Sequence, residues 1–389
     1  MTKQKILVCG SGIAGLAITL GLARQGFEVE LLGPPAPRPA LGVDDYHPRV
    51  YALSLASRRL LESLGVWQMM ESRRVTPVEA MEVHGDAAGM VMLHAWQATQ
   101  ETLAWIVESG EMERVLQQAL QVYGVRWWQE KFTHLEGRVA CTESGRRLPF
   151  DLLVGADGAR SPVRKAAGIF HDSRPYGDTG VVAHLDAELP HQNIAVQWFT
   201  GDSILALLPM PDTADGHQVS MVWSLPERAA ADLMAMDAQA RADVLETRLA
   251  AASGGRFGRL SLRSTPFAFP LFLERSGMVA PNVALVSDAA HRVHPLAGQG
   301  LNLGLGDVQE LLRILSDKEH YRSVGDERVL RRYRRARAQP ILAMSVATDG
   351  LHRLFASQAA PVVAMRNLGM QVVDRLPMVK RFLIGGAAG

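Results

Sequence analysis

Apolar and polar positions divide this chain into stretches of three kinds. Short, unbroken apolar runs of strand length occur at Ile6–Cys9, Leu152–Gly155 and Val283–Val286, and Phe27–Leu32 is a further strand. Runs without polar alternation are what strands covered on both faces require. Helical spacing of apolar residues marks Leu53–Leu64 and Met112–Tyr123, stopped by Gly65 and Gly124. The stretch from Ile13 to Gln25 is also helix-compatible, and Ser161-Pro162 predicts an N-cap followed by a first helical residue. From about Gly180 to Ala268 the pattern changes. Val181–Leu185, Ile194–Phe199, Ile204–Leu208 and Val219–Trp223 have strand length and are separated by Pro, Asp and Gly turns. Two helical stretches, Glu227–Met236 and Ala238–Ala252, interrupt them, and smaller strand-like pieces lie at Val125–Trp128, Arg138–Cys141 and Arg147–Phe150. A mostly antiparallel sheet is therefore expected as an insertion between elements of a parallel α/β sheet.

The first parallel unit carries chemistry. Ile6–Cys9 runs into Gly10-Ser11-Gly12-Ile13-Ala14-Gly15, then a helix, Gly26 and the strand Phe27–Leu32. This GxGxxG lies in the strand–turn–helix–strand context of the dinucleotide fingerprint: Gly10 for the tight turn, Gly12 for close approach of backbone to pyrophosphate, Gly15 for helix–strand packing. The acid that would hold the adenosine ribose is missing, because Gly33 occupies its place and Glu30 lies three residues too early.

Asn282 to Asp307 is the second such region. Its strand ends at Asp288, a Pro-Gly loop spans Pro295 to Gly300, and a helix is expected from Leu301. Asp288 can accept hydrogen bonds from a sugar-like chain. The free N–H groups of Gly298, Gly300, Leu301 and Asn302 can face an anionic ring edge, aided by the helix dipole. Taken alone, the stretch reads equally well as a core strand leading to a packing helix. Arg49, just ahead of the Leu53–Leu64 helix, can cover a phosphate or ring edge or can simply be solvated. Asp157-Gly158, at the end of the Leu152–Gly155 run, reads by itself as a turn.

Composition narrows the setting. With 41 Lys+Arg against 40 Asp+Glu in 389 residues, no global field draws the chain to nucleic acid. Two cysteines, Cys9 and Cys141, fit a reducing cytoplasm and form no metal-ligand pattern. Lys3 and Lys5 before the apolar run Ile6–Ala23 mimic a signal peptide, but glycines at 10, 12 and 15 interrupt it, so folded structure is expected. The arginine-rich helix Glu327–Ala338 reads as a solvated face with acidic partners. The tail Ala359–Ile384, apolar at helical spacing and basic, fits a packing helix or one that lies on a membrane.

Three segments in order, GSGIAG at 10–15, GADGARSPVR at 155–164 and SDAAHRVHPLAGQGLNLGLGD at 287–307, resemble the single-component FAD-dependent aromatic hydroxylases of the para-hydroxybenzoate hydroxylase superfamily. HPLAGQGLNLG, RVYALSLAS and ILALLPMPD are similar to the ubiquinone-biosynthesis hydroxylases within it. The resemblance implies a Rossmann-like FAD-binding domain (1–75, 100–178 and 275–340), an inserted, mostly antiparallel substrate domain (76–99 and 179–274), and a C-terminal helical region, 341–389. It implies that Gly10, Gly12 and Gly15 line the FAD pyrophosphate and that Arg49 and Glu108 approach the cofactor. Asp157 would serve FAD and nicotinamide binding, Asp288 the ribityl chain, and Pro295 with Gly298 to Asn302 the pyrimidine edge of the flavin. Three positions depart from the pattern: Gly33, Ser287 where glycine usually precedes Asp288, and Ser109-Gly110 in place of an Asn-Arg pair.

The reaction so implied is reduction of FAD by NADH or NADPH, addition of O₂ at flavin C4a, and transfer of OH from the hydroperoxide to an electron-rich ring, expected to be a polyprenyl phenol or quinol of ubiquinone biosynthesis. His294, beside the ring-facing loop, is the candidate for a group near substrate. A cytoplasmic protein peripheral to the inner face of the membrane, or within a quinone-biosynthesis complex, would meet such a substrate. A flavin oxidase or dehydrogenase on the same fold, and a non-catalytic accessory subunit, are the alternatives.

Overall fold

The computed structural model describes residues 4–35, 42, 45–85, 89–201, 203–294, 298–356 and 360–388. Its first sheet has six strands in the order Val279–Ala280, Val283–Leu285, Leu152–Gly155, Lys5–Cys9, Glu28–Leu32, Arg126–Trp128. All neighbours are parallel except the first pair. The predicted apolar runs supply its centre, where Ile6, Leu7, Val8, Leu152, Leu153 and Val154 are fully buried. Helix Ile13–Arg24 is buried from Ile13 to Leu22, which explains why its sequence has no polar face. It packs against helices Ser109–Val122 and Gln299–Ser316.

The second sheet has nine strands. Its order is His291–Arg292, Phe267–Ser276, His171–Ala187, Gly216–Pro226, Ser203–Thr213, Ile194–Thr200, Ala80–His84, Met90–His94, with Leu260–Leu262 also paired to His171–Ala187. Pairing is antiparallel except between Ile194–Thr200 and Ala80–His84. Side chains alternate across it with period two. Trp198, Leu207, Met221, Trp223 and Leu185 face helices Glu227–Ala235 and Ala238–Ser253, and form a core with Leu233 and Leu249. Ala195, Gln197, Ala206, Val222 and Val182 belong to the opposite face, which looks into the main cavity. A small sheet of Val50–Leu53, Ala104–Glu108 and Val75–Val78 packs on the nine-stranded sheet through Val78, Ile106 and Ala195 and into the core of the six-stranded sheet through Leu53, Trp105 and Val107.

Several elements differ from expectation. The strands from Val75 to His94 and Phe267 to Ser276 carry too little alternation to stand out, and become strands by pairing with stronger neighbours. His171–Ala187 begins ten residues before the predicted Val181. Helix Glu327–Ala356 continues through Pro340, well past Ala338. The tail is two helices, Ala360–Arg375 and Pro377–Ala388, with a proline opening the second.

Nor is the arginine-rich helix a solvated face throughout. Arg331 pairs with Glu327 and Arg332 with Glu319, but Arg337 is buried and donates from Nε to Asp307 Oδ1 at 2.7 Å. Asp307 is fully buried. Its Oδ2 also accepts from the Ser287 N–H at 2.9 Å and lies 2.6 Å from His291 Nε2. Burial pushes its pKa up, but His291 and Arg337 outweigh that and hold it below the usual value of 3.8. A depressed carboxylate contributes stability above its unfolded pKa and loses it as pH falls through the folded one. This contribution is therefore complete above about pH 4 and fades only in stronger acid. Arg337→Met, which leaves the carboxylate with His291 and the Ser287 N–H, is expected to cost about 3 kcal/mol in urea unfolding at pH 7, and less as pH falls below about 4.

Candidate cofactor and substrate cavity

A cavity of about 490 Å³ lies between the two large sheets. One part is lined by Gly12–Ala14, Arg49–Ala52, Ser287, Asp288 and Gly298–Asn302, the other by apolar side chains of the nine-stranded sheet. The first turn and the late loop, 286 residues apart from Gly12 to Gly298, thus face one space.

The three fingerprint glycines have three different reasons to be glycine. A Cβ on Gly15 would lie 1.9 Å from Gly10 O, and one on Gly10, whose φ is +116°, would lie 2.1 Å from Ala156 O. Both are demanded by packing. A Cβ on Gly12 would meet nothing within 4 Å, and neither would one on Gly300. Those two positions border open space, as needed where a ligand approaches backbone. Gly298 has φ +66° and caps helix Gln299–Ser316, which aims its free N–H groups at the cavity.

Asp288 projects into the cavity, open to it yet surrounded by protein, and its carboxylate accepts no hydrogen bond from any described residue. Burial raises its pKa, opposed by Arg292, His291 and Arg49. An acceptor without donors is what a polyhydroxyl chain would complete. Ser287 before it has φ +56°, a conformation glycine adopts at lower cost, which accounts for the glycine usual there. Ser287 is retained against Gly304, where a Cβ would lie 2.4 Å from its Oγ.

Asn302 is committed to structure. Its Oδ1 accepts from Ser54 N–H at 2.9 Å and Ser57 Oγ at 2.8 Å, and its Nδ2 donates to Ala52 O at 2.8 Å. It ties the late loop to the strand and helix that follow Arg49. Arg49 lines the cavity and donates to Tyr51 Oη at 3.4 Å.

Glu108 does not reach the cavity. It is buried and accepts from His47 N–H at 2.6 Å and Arg74 Nη1 at 2.8 Å, so it anchors the segment that carries Arg49. Ser109 Oγ lies 2.7 Å from His47 Nδ1, and a Cβ on Gly110 would lie 2.8 Å from the His47 ring. Ser109-Gly110 is thus matched to His47. Asp157 also turns inward: it accepts from Ser161 Oγ at 2.5 Å and Val163 N–H at 2.9 Å, while its neighbours Ala156 and Gly158 line the cavity. Gly33 has φ +149° and offers its carbonyl to Trp127 Nε1 at 2.8 Å. Glu30 cannot substitute for the missing acid, because Lys5 and Trp128 hold it inside the fold.

His294 does not line the cavity, contrary to expectation. Arg292 and Val293 do, and His294 points the other way, 1 % exposed, with Tyr176 and His352 rings each 4.9 Å from its own. Burial, then His352, lowers its pKa to about 4, so it is neutral at ordinary pH. Pro295 lies outside the described residues. Tyr51, Arg292 and Glu113 also line the cavity and were not singled out from sequence. The first two stand inside motifs already recognised, but only tertiary structure shows where their side chains go.

The two kinds of glycine predict separable defects. Gly15→Ala should lower the stability of nucleotide-free protein by about 1–3 kcal/mol in urea unfolding. Gly12→Ala, at φ −76°, should leave that stability within about 0.5 kcal/mol yet weaken flavin nucleotide binding roughly tenfold in a fluorescence titration.

Comparison with known proteins agrees with this geometry. The FAD binding domain family matches residues 3–347. Ubiquinone hydroxylase UbiL of Rhodospirillum rubrum is 32 % identical, aligned over 99 % of this chain and 89 % of its own length. The 3-demethoxyubiquinol 3-hydroxylase of Escherichia coli is 31 % identical over the whole of both chains. In fold, p-nitrophenol 4-monooxygenase PnpA of Pseudomonas putida superposes with a TM-score of 0.78 at 16 % identity, covering 99 % of each chain. PqsL of Pseudomonas aeruginosa does so with 0.72 at 22 %, covering 95 % of this chain and 99 % of that one. This chain belongs to the FAD binding domain family and is an FAD-dependent monooxygenase of the aromatic-hydroxylase type, related to the hydroxylases of ubiquinone biosynthesis.

Proposed function

We propose that this chain hydroxylates the ring of a polyprenyl phenol or quinol in ubiquinone biosynthesis, using O₂ and NADH or NADPH. The observation that carries this is the single cavity, which begins at Gly12, passes Asp288 and Gly298–Asn302, and ends against an apolar sheet face. FAD, when bound, supplies the redox chemistry: it takes electrons from the nicotinamide and activates O₂. The chain supplies the rest. Gly12 admits the pyrophosphate, Asp288 accepts from ribityl hydroxyls, and Arg49 contributes positive charge. The N–H groups at Gly298–Asn302 stabilise negative charge at the ring edge by about 0.3–1 kcal/mol, and up to about 2 where partly buried. Val182, Ala206, Leu208 and Val222 exclude water from the space beside the ring.

Attachment to a membrane fits a polyprenyl substrate. Among the described residues no helix is long and apolar enough to cross a bilayer. The last three helices do expose Leu342, Val346, Leu354, Met365, Leu368 and Met378, with Arg353, Arg375 and Arg381 among them. Full-length protein should therefore co-sediment with anionic liposomes. Complete recovery in the supernatant would refute the attachment.

The decisive test is catalytic. Purified protein should be yellow, consume NAD(P)H in the presence of a short-chain prenyl phenol, and yield hydroxylated product. Hydrogen peroxide without that product would favour an oxidase, and a colourless protein that takes up no FAD would favour an accessory subunit.

A further inference from the structure

The apolar half of the cavity contains one feature its packing does not explain. Along the cavity-facing side of the nine-stranded sheet, Gln197 follows Ala195 and precedes Phe199 on its own strand. Its partners on the flanking strands are Ala206 and Val83. All four neighbours on that face are apolar. Gln197 is only 7 % exposed and lines the cavity, and its side-chain amide has no hydrogen bond with any described residue. Gln218, two strands away in the same sheet, has a partner: its Nε2 donates to Asp186 Oδ1 at 2.7 Å. The sheet also gives the cavity Ser220, which stands opposite His184, and Arg292, whose guanidinium lies 3.6 Å from Glu274 Oε2. Gln197 has no such polar neighbour.

A primary amide inside an apolar wall costs free energy unless a partner arrives. An alanine, valine or leucine would fill the position without that cost, as at Ala206 and Val222 in the same row. The missing partner must enter through the cavity, and a carboxamide can both donate and accept. We infer that Gln197 is a substrate-recognition residue, holding an oxygen substituent of the aromatic ring while the apolar wall holds the hydrocarbon part. The inference rests on the proposed phenol or quinol substrate and assigns the side chain that meets its ring oxygen. Gln197 thereby sets which ring carbon is presented to the flavin, and need not take part in bond making.

The test deletes the hydrogen bond from each side. FAD-loaded protein is titrated with 3-geranylphenol and with geranylbenzene, which differ only in the ring oxygen, following the flavin absorbance. Wild type should bind the phenol about tenfold more tightly. Gln197→Leu, similar in size, should bring the two ligands to within about twofold by weakening the phenol alone. Its turnover should shift from hydroxylated product toward hydrogen peroxide, because the ring is no longer held in place. A general packing defect would weaken both ligands together, and Gln197→Met offers a second apolar variant should the first lose FAD. Discrimination that survives in both variants, or that is absent from wild type, would overturn the inference. Selective phenol binding by a wild-type protein that never hydroxylates would leave this subsite standing and refute the proposed reaction. Failure of both ligands to bind wild type would remove both.

Discussion

One buried carboxylate fixes the geometry on which the cavity depends. Asp307 lies on the helix that begins at the late loop, and its two oxygens reach back to Ser287 N–H and His291 and outward to Arg337. It therefore joins the end of strand Val283–Leu285, the turn carrying Asp288, the helix capped at Gly298 and the long C-terminal helix. Arg337 also donates to Leu303 O at 2.9 Å, which secures that helix near its start. Removing any one partner exposes the others to an uncompensated charge in a dry interior, where such a loss is costly. The orientation of Asp288 toward the cavity follows from this anchorage.

Around that anchor, polar groups divide into those already paired and those left open. Glu108, Asp157, Asn302 and Ser109 have spent their hydrogen bonds on backbone and neighbouring side chains. They shape the cavity, and of the four only Asn302 borders it. Asp288 and Gln197 face the cavity without protein partners, one in the polar half and one in the apolar half. A buried polar group is normally paired, so these two mark where ligand atoms are expected.

Much of the fold was legible because its strongest signals are local. The strands at Ile6–Cys9, Leu152–Gly155 and Val283–Leu285 are apolar without a break because both faces are covered. The roles of Gly10, Gly12 and Gly15 follow from a turn whose sterics depend on six consecutive residues. By contrast, Phe267–Ser276 and Val75–Val78 have weak patterns and owe their strand form to partners far away in the chain. His294 misled for a related reason: proximity in sequence to a ring-facing loop does not say which way a side chain turns. Arg292 and Val293 face the cavity, while the next residue, His294, packs against Tyr176 and His352.

The sequence by itself determined the α/β class, the nucleotide turn, the acid at the end of the last parallel strand and the family resemblance. Each depends on short-range steric and hydrogen-bonding requirements that residue types disclose directly. Tertiary structure alone decided which charged groups were neutralised inside the protein and which were left for a ligand. Glu30 against Lys5, Arg337 against Asp307, and Gln197 against nothing are long-range pairings or their lack. No periodicity encodes them, because they arise only when distant segments share one interior.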